Sequence, residues 1–315
     1  MEIASEASGS IGNLVPHQDF ELSPNGIQSS PTPAKHPRAT MSFLEPWDAG
    51  KGAPFFRSSP DEGFEGTNFK WEEKTVTVRN ARDQIEQFTL DKNGFCFVND
   101  DELSLELIHA LRVGKKEVVR ELYYPKVERL MKTLTGASRV IIFDHTVRKR
   151  DPSMNKEDNP NGKEQPATVV HCDQSAKGAL RRVKQNISEN DDINEIVDAG
   201  VQMINVWRPL IGPIVDWPLA MMDYRSLSSS DVHPCDLWRH QFEEKGQTVT
   251  FTHNENQKWY YLDRHRTNEV SLIKIWDSRR EGIANMCAHV AFEHPDTPCD
   301  TTPRESVEVR CIVVK

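Results

Sequence analysis

The sequence lacks the features that mark several large classes of protein. Its six cysteines, at 96, 172, 235, 287, 299 and 311, include no Cys-x-x-Cys pair and follow no regular spacing. That argues against a cysteine zinc module or a disulfide framework, and the expectation is free thiols in a reducing compartment. No apolar run approaches the ~20 residues of a membrane span. The N-terminal stretch has no hydrophobic secretory core and is not Arg-rich and acid-poor, so no membrane association is expected and the expected location is cytoplasmic. Basic residues are outnumbered by acidic ones, 39 against 48, giving a net charge of −9 with no basic stripe, so no nucleic-acid partner is expected. There is no internal repeat and no Gly-rich phosphate loop. At 37% hydrophobic and 28% charged, the 315 residues have the composition of an ordinary soluble globular chain, enough for one large domain or two small ones.

Residues 1–40 are rich in Ser, Pro, Gly and Asn and read as a disordered tail, with residues 41–315 as one domain. Met41 could serve as the true start. Thr75–Val78 alternates as a strand. Phe88–Leu90 and Phe95–Val98 flank Asn93-Gly94 and predict a hairpin. Leu103 to Thr135 carries two helical apolar stripes, with Gly114 and Pro125 as breaks. Arg139–Phe143 reads as a buried strand, and the polar loop 149–166 as a mobile surface segment placed to act as a lid. Two short helices follow, at 179–187 and 193–199, the second closed by Gly200. Beyond them come short strands rich in Val, Ile, Trp and Tyr: 203–210, 219–223, 248–253, 259–262, 270–276, 287–292 and 307–314. Helices early and strands late predict an α+β fold with a jelly-roll core braced by helices.

Chemistry concentrates at Thr168-Val169-Val170-His171-Cys172-Asp173-Gln174-Ser175. On a strand, residues i and i+2 point to one face, so His171 and Asp173 present an imidazole and a carboxylate together. That is two thirds of a 2-His-1-carboxylate triad, which holds Fe(II) and leaves positions open. The other His-x-Asp and His-x-Glu pairs, at His17, His253 and His294, lie in the tail or in turn-like stretches. A third ligand must come from a later histidine, with His289, His265 and His294 as the candidates. On a final strand, Arg304, Ser306, Glu308 and Arg310 share one face, and Val307, Val309 and Cys311 the other. Buried charges need partners, and a dicarboxylate is one that Arg grips with two parallel hydrogen bonds while a Ser hydroxyl adds a third. Arg304 and Arg310 are both candidates for that grip.

A set of segments carries a family resemblance: Phe143-Asp144-His145-Thr146-Val147-Arg148, Val170–Ser175, Ile204–Leu210 (INVWRPL), Asp216–Ala220 (DWPLA), Trp259–Tyr261, Leu272–Ser278 (LIKIWDS), His289–Phe292 and Arg304–Arg310 (RESVEVR). Together they resemble the fungal Fe(II)/2-oxoglutarate enzymes that include a gibberellin desaturase and relatives of a cephem methoxylase component. The resemblance implies a double-stranded β-helix, His171, Asp173 and His289 as iron ligands, and Arg304 and Ser306 on the distal carboxylate of 2-oxoglutarate. It implies O2 as co-reactant and hydroxylation or desaturation of an unactivated C–H position in a small natural product. Asn205, Arg208, Tyr260 and Lys274 are expected to face inward toward cosubstrate or substrate, and Trp207, Trp217, Trp259 and Trp276 to pack mostly as core. The alternatives are a non-redox metalloenzyme of cupin type and a catalytically inactive binding module on the same fold.

Overall fold

Period-two alternation of apolar residues produces strands that bury both faces only when something covers each side. The computed structural model describes residues 36–101, 103–113, 116–154, 165–279 and 282–315. In chain order its strands are β1 (Arg38–Leu44), β2 (Phe55–Arg57), β3 (Trp71–Asn80), β4 (Phe95–Asn99), β5 (Arg139–Lys149), β6 (His171–Cys172), β7 (Val201–Pro209), β8 (Leu219–Met222), β9 (Val232–Trp238), β10 (Glu244–Phe251), β11 (Trp259–Tyr261), β12 (Glu269–Asp277), β13 (His289–Ala291) and β14 (Glu305–Val314). The helices are α1 (Leu90–Asn93), α2 (Leu105–Val113), α3 (Lys116–Val118), α4 (Tyr124–Thr135), α5 (Ala176–Asn186) and α6 (Ile193–Ala199).

The strands form two sheets, ordered β1-β3-β11-β8-β13-β6-β10-β9-β2 and β4-β12-β7-β14-β5. Val78, Trp259 and Val290 from the first meet Phe95, Trp207, Ile273 and Ile312 from the second in one apolar core. This is the double-stranded β-helix. The outer face of the five-stranded sheet, Ile204, Val206, Val307, Val309 and Cys311, is covered by Leu107, Leu111, Val127 and Met131 of α2 and α4. Strands β7 and β12 are therefore buried at every residue. Burying one such Leu or Val contributes roughly 1.5–3 kcal/mol, so the helices brace the outer face of the sheet.

Four sequence expectations change. β1 starts at Arg38, paired with Thr77, so residues 38–40 belong to the sheet, with Met41 inside the strand; residues 1–35 lie outside the described ones. No hairpin forms at Asn93-Gly94. Thr89 caps a single helical turn by accepting from Lys92 N at 3.2 Å, and Gly94 closes it at φ 81°. A Cβ there would sit 2.5 Å from the Met286 carbonyl oxygen, so glycine is required. β9 was not anticipated, because Pro234 and weak apolar alternation disguise it. The break at Pro125 takes the form of a π-helical turn, Val119–Tyr123, with Pro125 in the first turn of α4. Gly114 and most of the expected lid, residues 155–164, lie outside the described residues.

Lys274 does not face the candidate site. Its fully buried ammonium binds Asp277 at 2.8 Å and Asp91 at 2.7 Å, tying α1 to β12. Lys274→Met should cost about 3 kcal/mol in urea denaturation, because it leaves the buried Asp277 short of a partner. Divalent-metal affinity should stay unchanged, and a lost affinity in the folded variant would show that Lys274 belongs to the site after all.

Candidate metal centre

β6 and β13 lie side by side, and their registered pair is His171 opposite His289. The rings come together at a centroid distance of 4.5 Å. Each is held in the same way. Nδ1 of His171 lies 2.8 Å from the Val169 carbonyl oxygen, and Nδ1 of His289 lies 3.1 Å from that of Cys287. A carbonyl can only accept, so Nδ1 carries the proton and donates, which leaves Nε2 with its lone pair. Asp173, two residues on, brings Oδ1 to 3.4 Å from His171 Nε2 and 3.6 Å from His289 Nε2. One ligand atom from each of the three residues falls within 4.8 Å of the other two. Two imidazole nitrogens and one carboxylate oxygen are the donor set of a facial iron site.

The sequence around this stretch fixes its position. Val170 N donates to Ser42 O at 2.9 Å, and Ser175 N donates to Gln247 O at 2.9 Å, so both ends are pinned. Ser175 then caps α5 by accepting from Gly178 N at 3.1 Å. Gly178 is needed where α5 meets β10, since a Cβ would lie 2.4 Å from the Gln247 carbonyl oxygen. Cys172 turns the other way into the core, where burial pushes its thiol up to about 12. The Cys287 thiol is raised for the same reason.

Electrostatics favour an ionised Asp173. Burial opposes its charge, but Arg310 and the two imidazoles hold the carboxyl well below the usual range. Oδ2 accepts from Arg310 Nε at 2.9 Å and from Asn205 Nδ2 at 2.9 Å. Both are among the residues that the sequence offered for cosubstrate contact, and here both meet the triad carboxylate. Arg310 also donates to Thr146 at 2.9 Å and to Glu308 at 3.1 Å. Glu308 was not among the expected site residues, although its place on the Arg304–Arg310 face was the signal that could have found it.

Arg304 is fully buried and differently placed. Its backbone N donates to Asp216 at 2.9 Å, one Nη donates to the Trp217 carbonyl, and its guanidinium lies 5.5 Å from the Trp207 ring centroid. Burial, with Arg148 adding to it, lowers its pKa from 12.5 to about 9. Its Nε and the Ser306 hydroxyl oxygen are buried without a hydrogen-bond partner among the described residues. Trp217, whose carbonyl meets Arg304, adopts φ 45°.

Other expectations fail on strand parity or distance. Arg208 faces the helices, paired with Asp100 and donating to the Asp100 and Thr267 carbonyls at 3.1 and 3.0 Å. Tyr260 packs on Phe88 in β11, two strands away from β13. His265 bonds to the Glu269 carbonyl at 3.1 Å, and burial lowers its pKa to about 3. His294 bonds to the Tyr261 hydroxyl at 3.1 Å. Both are structural. Of the four tryptophans, Trp207 and Trp217 reach Arg304, while Trp259 and Trp276 are core.

Residues 41–314 match a family described as an oxidoreductase/YMDC permease-like domain. Among the described residues, no helix is long and apolar enough to cross a membrane. The Fe(II)/2-oxoglutarate-dependent dioxygenase nvfI of Aspergillus novofumigatus is 37% identical, over 87% of this chain and 95% of its own length. The chain belongs to the fungal Fe(II)/2-oxoglutarate-dependent dioxygenases. Within that family, the hydroxylase/desaturase CTB9 of Cercospora beticola is 28% identical over 78% of this chain and 77% of its own. The solved structure of the iron and alpha-ketoglutarate-dependent endoperoxidase NvfI superposes with a TM-score of 0.79 at 33% identity, covering 89% of this chain and 98% of that one.

In the metal-free dioxygenase, burial lowers the pKa of His289, but its bond and charge contact with Asp173 outweigh this and raise it above 6.5. A metal takes the deprotonated imidazole, so Co(II) affinity should fall as pH drops through that raised value. Calorimetry near pH 6.5 in two buffers of different ionisation enthalpy should detect proton release. A pH-independent affinity with no release would remove His289 from the ligand set.

Proposed function

We propose that this dioxygenase hydroxylates or desaturates an unactivated C–H position of a small secondary metabolite, with His171, Asp173 and His289 holding Fe(II). The observation that carries the reading is the triad itself: two imidazoles with both Nδ1 atoms committed to carbonyls, and one carboxylate oxygen turned toward both free Nε2 atoms. Bound there, Fe(II) supplies the activation of O2 at the expense of 2-oxoglutarate, which leaves as succinate and carbon dioxide.

The chain's own contribution is to bind, orient and exclude water. Arg304 and Ser306 receive the far carboxylate of 2-oxoglutarate. Their support is that the buried Arg304 Nε and the buried Ser306 hydroxyl two residues on have no hydrogen-bond partner among the described residues. A cation stripped of water and short of acceptors gains more from a carboxylate than an exposed one does. Arg310 is the weaker candidate, because Asp173 and Glu308 already neutralise it. The Trp217 carbonyl and the Trp207 ring fix the Arg304 plane, so the cosubstrate meets a pre-set partner.

Anaerobic titration of the Fe(II)-loaded protein with 2-oxoglutarate should raise a visible metal-to-ligand charge-transfer band. Arg304→Ala should weaken 2-oxoglutarate about tenfold to a hundredfold, the loss of one charged hydrogen-bonding partner, and Ser306→Ala by less. Iron binding without a band in the unaltered protein would favour a non-redox metalloenzyme. An unchanged affinity in Arg304→Ala would remove that residue from the cosubstrate pocket.

A further inference from the structure

We infer that Asn205 and Arg310, both held by Glu308, are positioning residues that occupy Oδ2 of Asp173, so that this carboxylate meets the metal through Oδ1 alone. The inference rests on the metal reading above and goes beyond it by assigning the outer partners of one ligand.

The two oxygens of Asp173 have different surroundings. Oδ2 accepts two hydrogen bonds of 2.9 Å, from Arg310 Nε and Asn205 Nδ2. A carboxylate oxygen has two in-plane lone pairs, so both are taken. Oδ1 faces the two Nε2 atoms instead. Glu308 closes the ring by accepting from the same two donors, Asn205 Nδ2 at 2.8 Å and Arg310 Nη2 at 3.1 Å. The Asn205 amide has no choice of orientation, because both of its neighbours on that side are carboxylates and only the NH2 end can meet them.

The ring is built by sheet register. Arg310 of β14 lies opposite Asn205 of β7, and Glu308 lies opposite Thr146 of β5. All three strands belong to the five-stranded sheet, whereas β6 and β13 belong to the nine-stranded one. One sheet supplies the histidines and the other orients the carboxylate that stands between them. A carboxylate bound through one oxygen leaves open positions at a facial triad, and one that turned to bind through both would take up one of them. Two donors on Oδ2 oppose that turn.

Co(II) binding to the full chain tests this without turnover. Arg310→Gln should lower Co(II) affinity about 10–100-fold, the usual effect of removing an outer partner of a metal ligand, and should alter the visible Co(II) spectrum as Asp173 turns. Arg310→Lys keeps the charge but loses the fork, so it should recover affinity only in part. Should Arg310→Gln fail to fold, Asn205→Ser removes one donor while leaving the Arg310–Glu308 pair, and its Co(II) affinity should fall about tenfold. Variants that lose only thermal stability, with Co(II) affinity and spectrum unchanged, overturn the inference and leave the metal reading standing. Absence of Co(II) binding to the unaltered protein overturns both.

Discussion

A carboxylate taken out of water must be neutralised or it will protonate, and Asp173 is the point where this fold meets that demand. A guanidinium and an amide face one of its oxygens, and two imidazoles face the other. Every one of those partners comes from a different stretch of chain, so the sandwich must close correctly for the charge to be tolerated at all. The pairing of His171 with His289 and the pairing of Asn205 with Arg310 are two registers in two sheets. A one-residue slip in either would turn the ligand or its partner to the opposite face. Fold and site are thus one specification.

The middle strands of the five-stranded sheet show how that specification is carried. Along β7, Asn205 and Trp207 point into the sandwich while Ile204 and Val206 point to the helices. The helix-facing side is mostly apolar and supplies packing energy, with Arg208 as its buried charge, paired to Asp100. The inner side mixes apolar residues with Asn205, Ser271, Ser306, Glu308 and Arg310, all of which are buried or nearly so. Packing on one face stabilises a polar arrangement on the other that would not hold together unaided.

Much of this was legible in sequence where the information is local. His171 and Asp173 declare themselves because two residues on a strand share a face. His289 was one of several candidates until the family resemblance singled it out, since no local pattern marks which distant strand becomes a neighbour. That Arg304, Ser306, Glu308 and Arg310 share a face is a local reading. Sequence places Glu308 beside Arg310 on it, yet gives no sign that Asp173, reached from the other sheet, is a partner too. Arg208 was misplaced for a reason the sequence did contain, because it lies three positions after Asn205 and a period of two cannot put both inside. Lys274 shares its face with Leu272 and lies opposite Ile204, both on the helix side, but the run Leu272-Ile273-Lys274-Ile275 is apolar in both parities, so the residue types do not say which face is inward. Asn93-Gly94 carries a strong hairpin signal, but the same left-handed glycine that turns a hairpin also ends a helix.

The thiols beside the site have a chemical consequence of their own. A protein that handles O2 exposes its own side chains to reactive by-products, and the oxidisable form of cysteine is the thiolate. Cys172 lies between two ligands in sequence, and Cys287 supplies the carbonyl that orients His289. Their burial, which sets both thiols far above neutrality, keeps them protonated and closed to solvent oxidants. Among the described cysteines, Cys299 is the exposed one. Oxidation is thereby disfavoured at the two cysteines nearest the triad, Cys172 next to His171 and Cys287 at the carbonyl that orients His289.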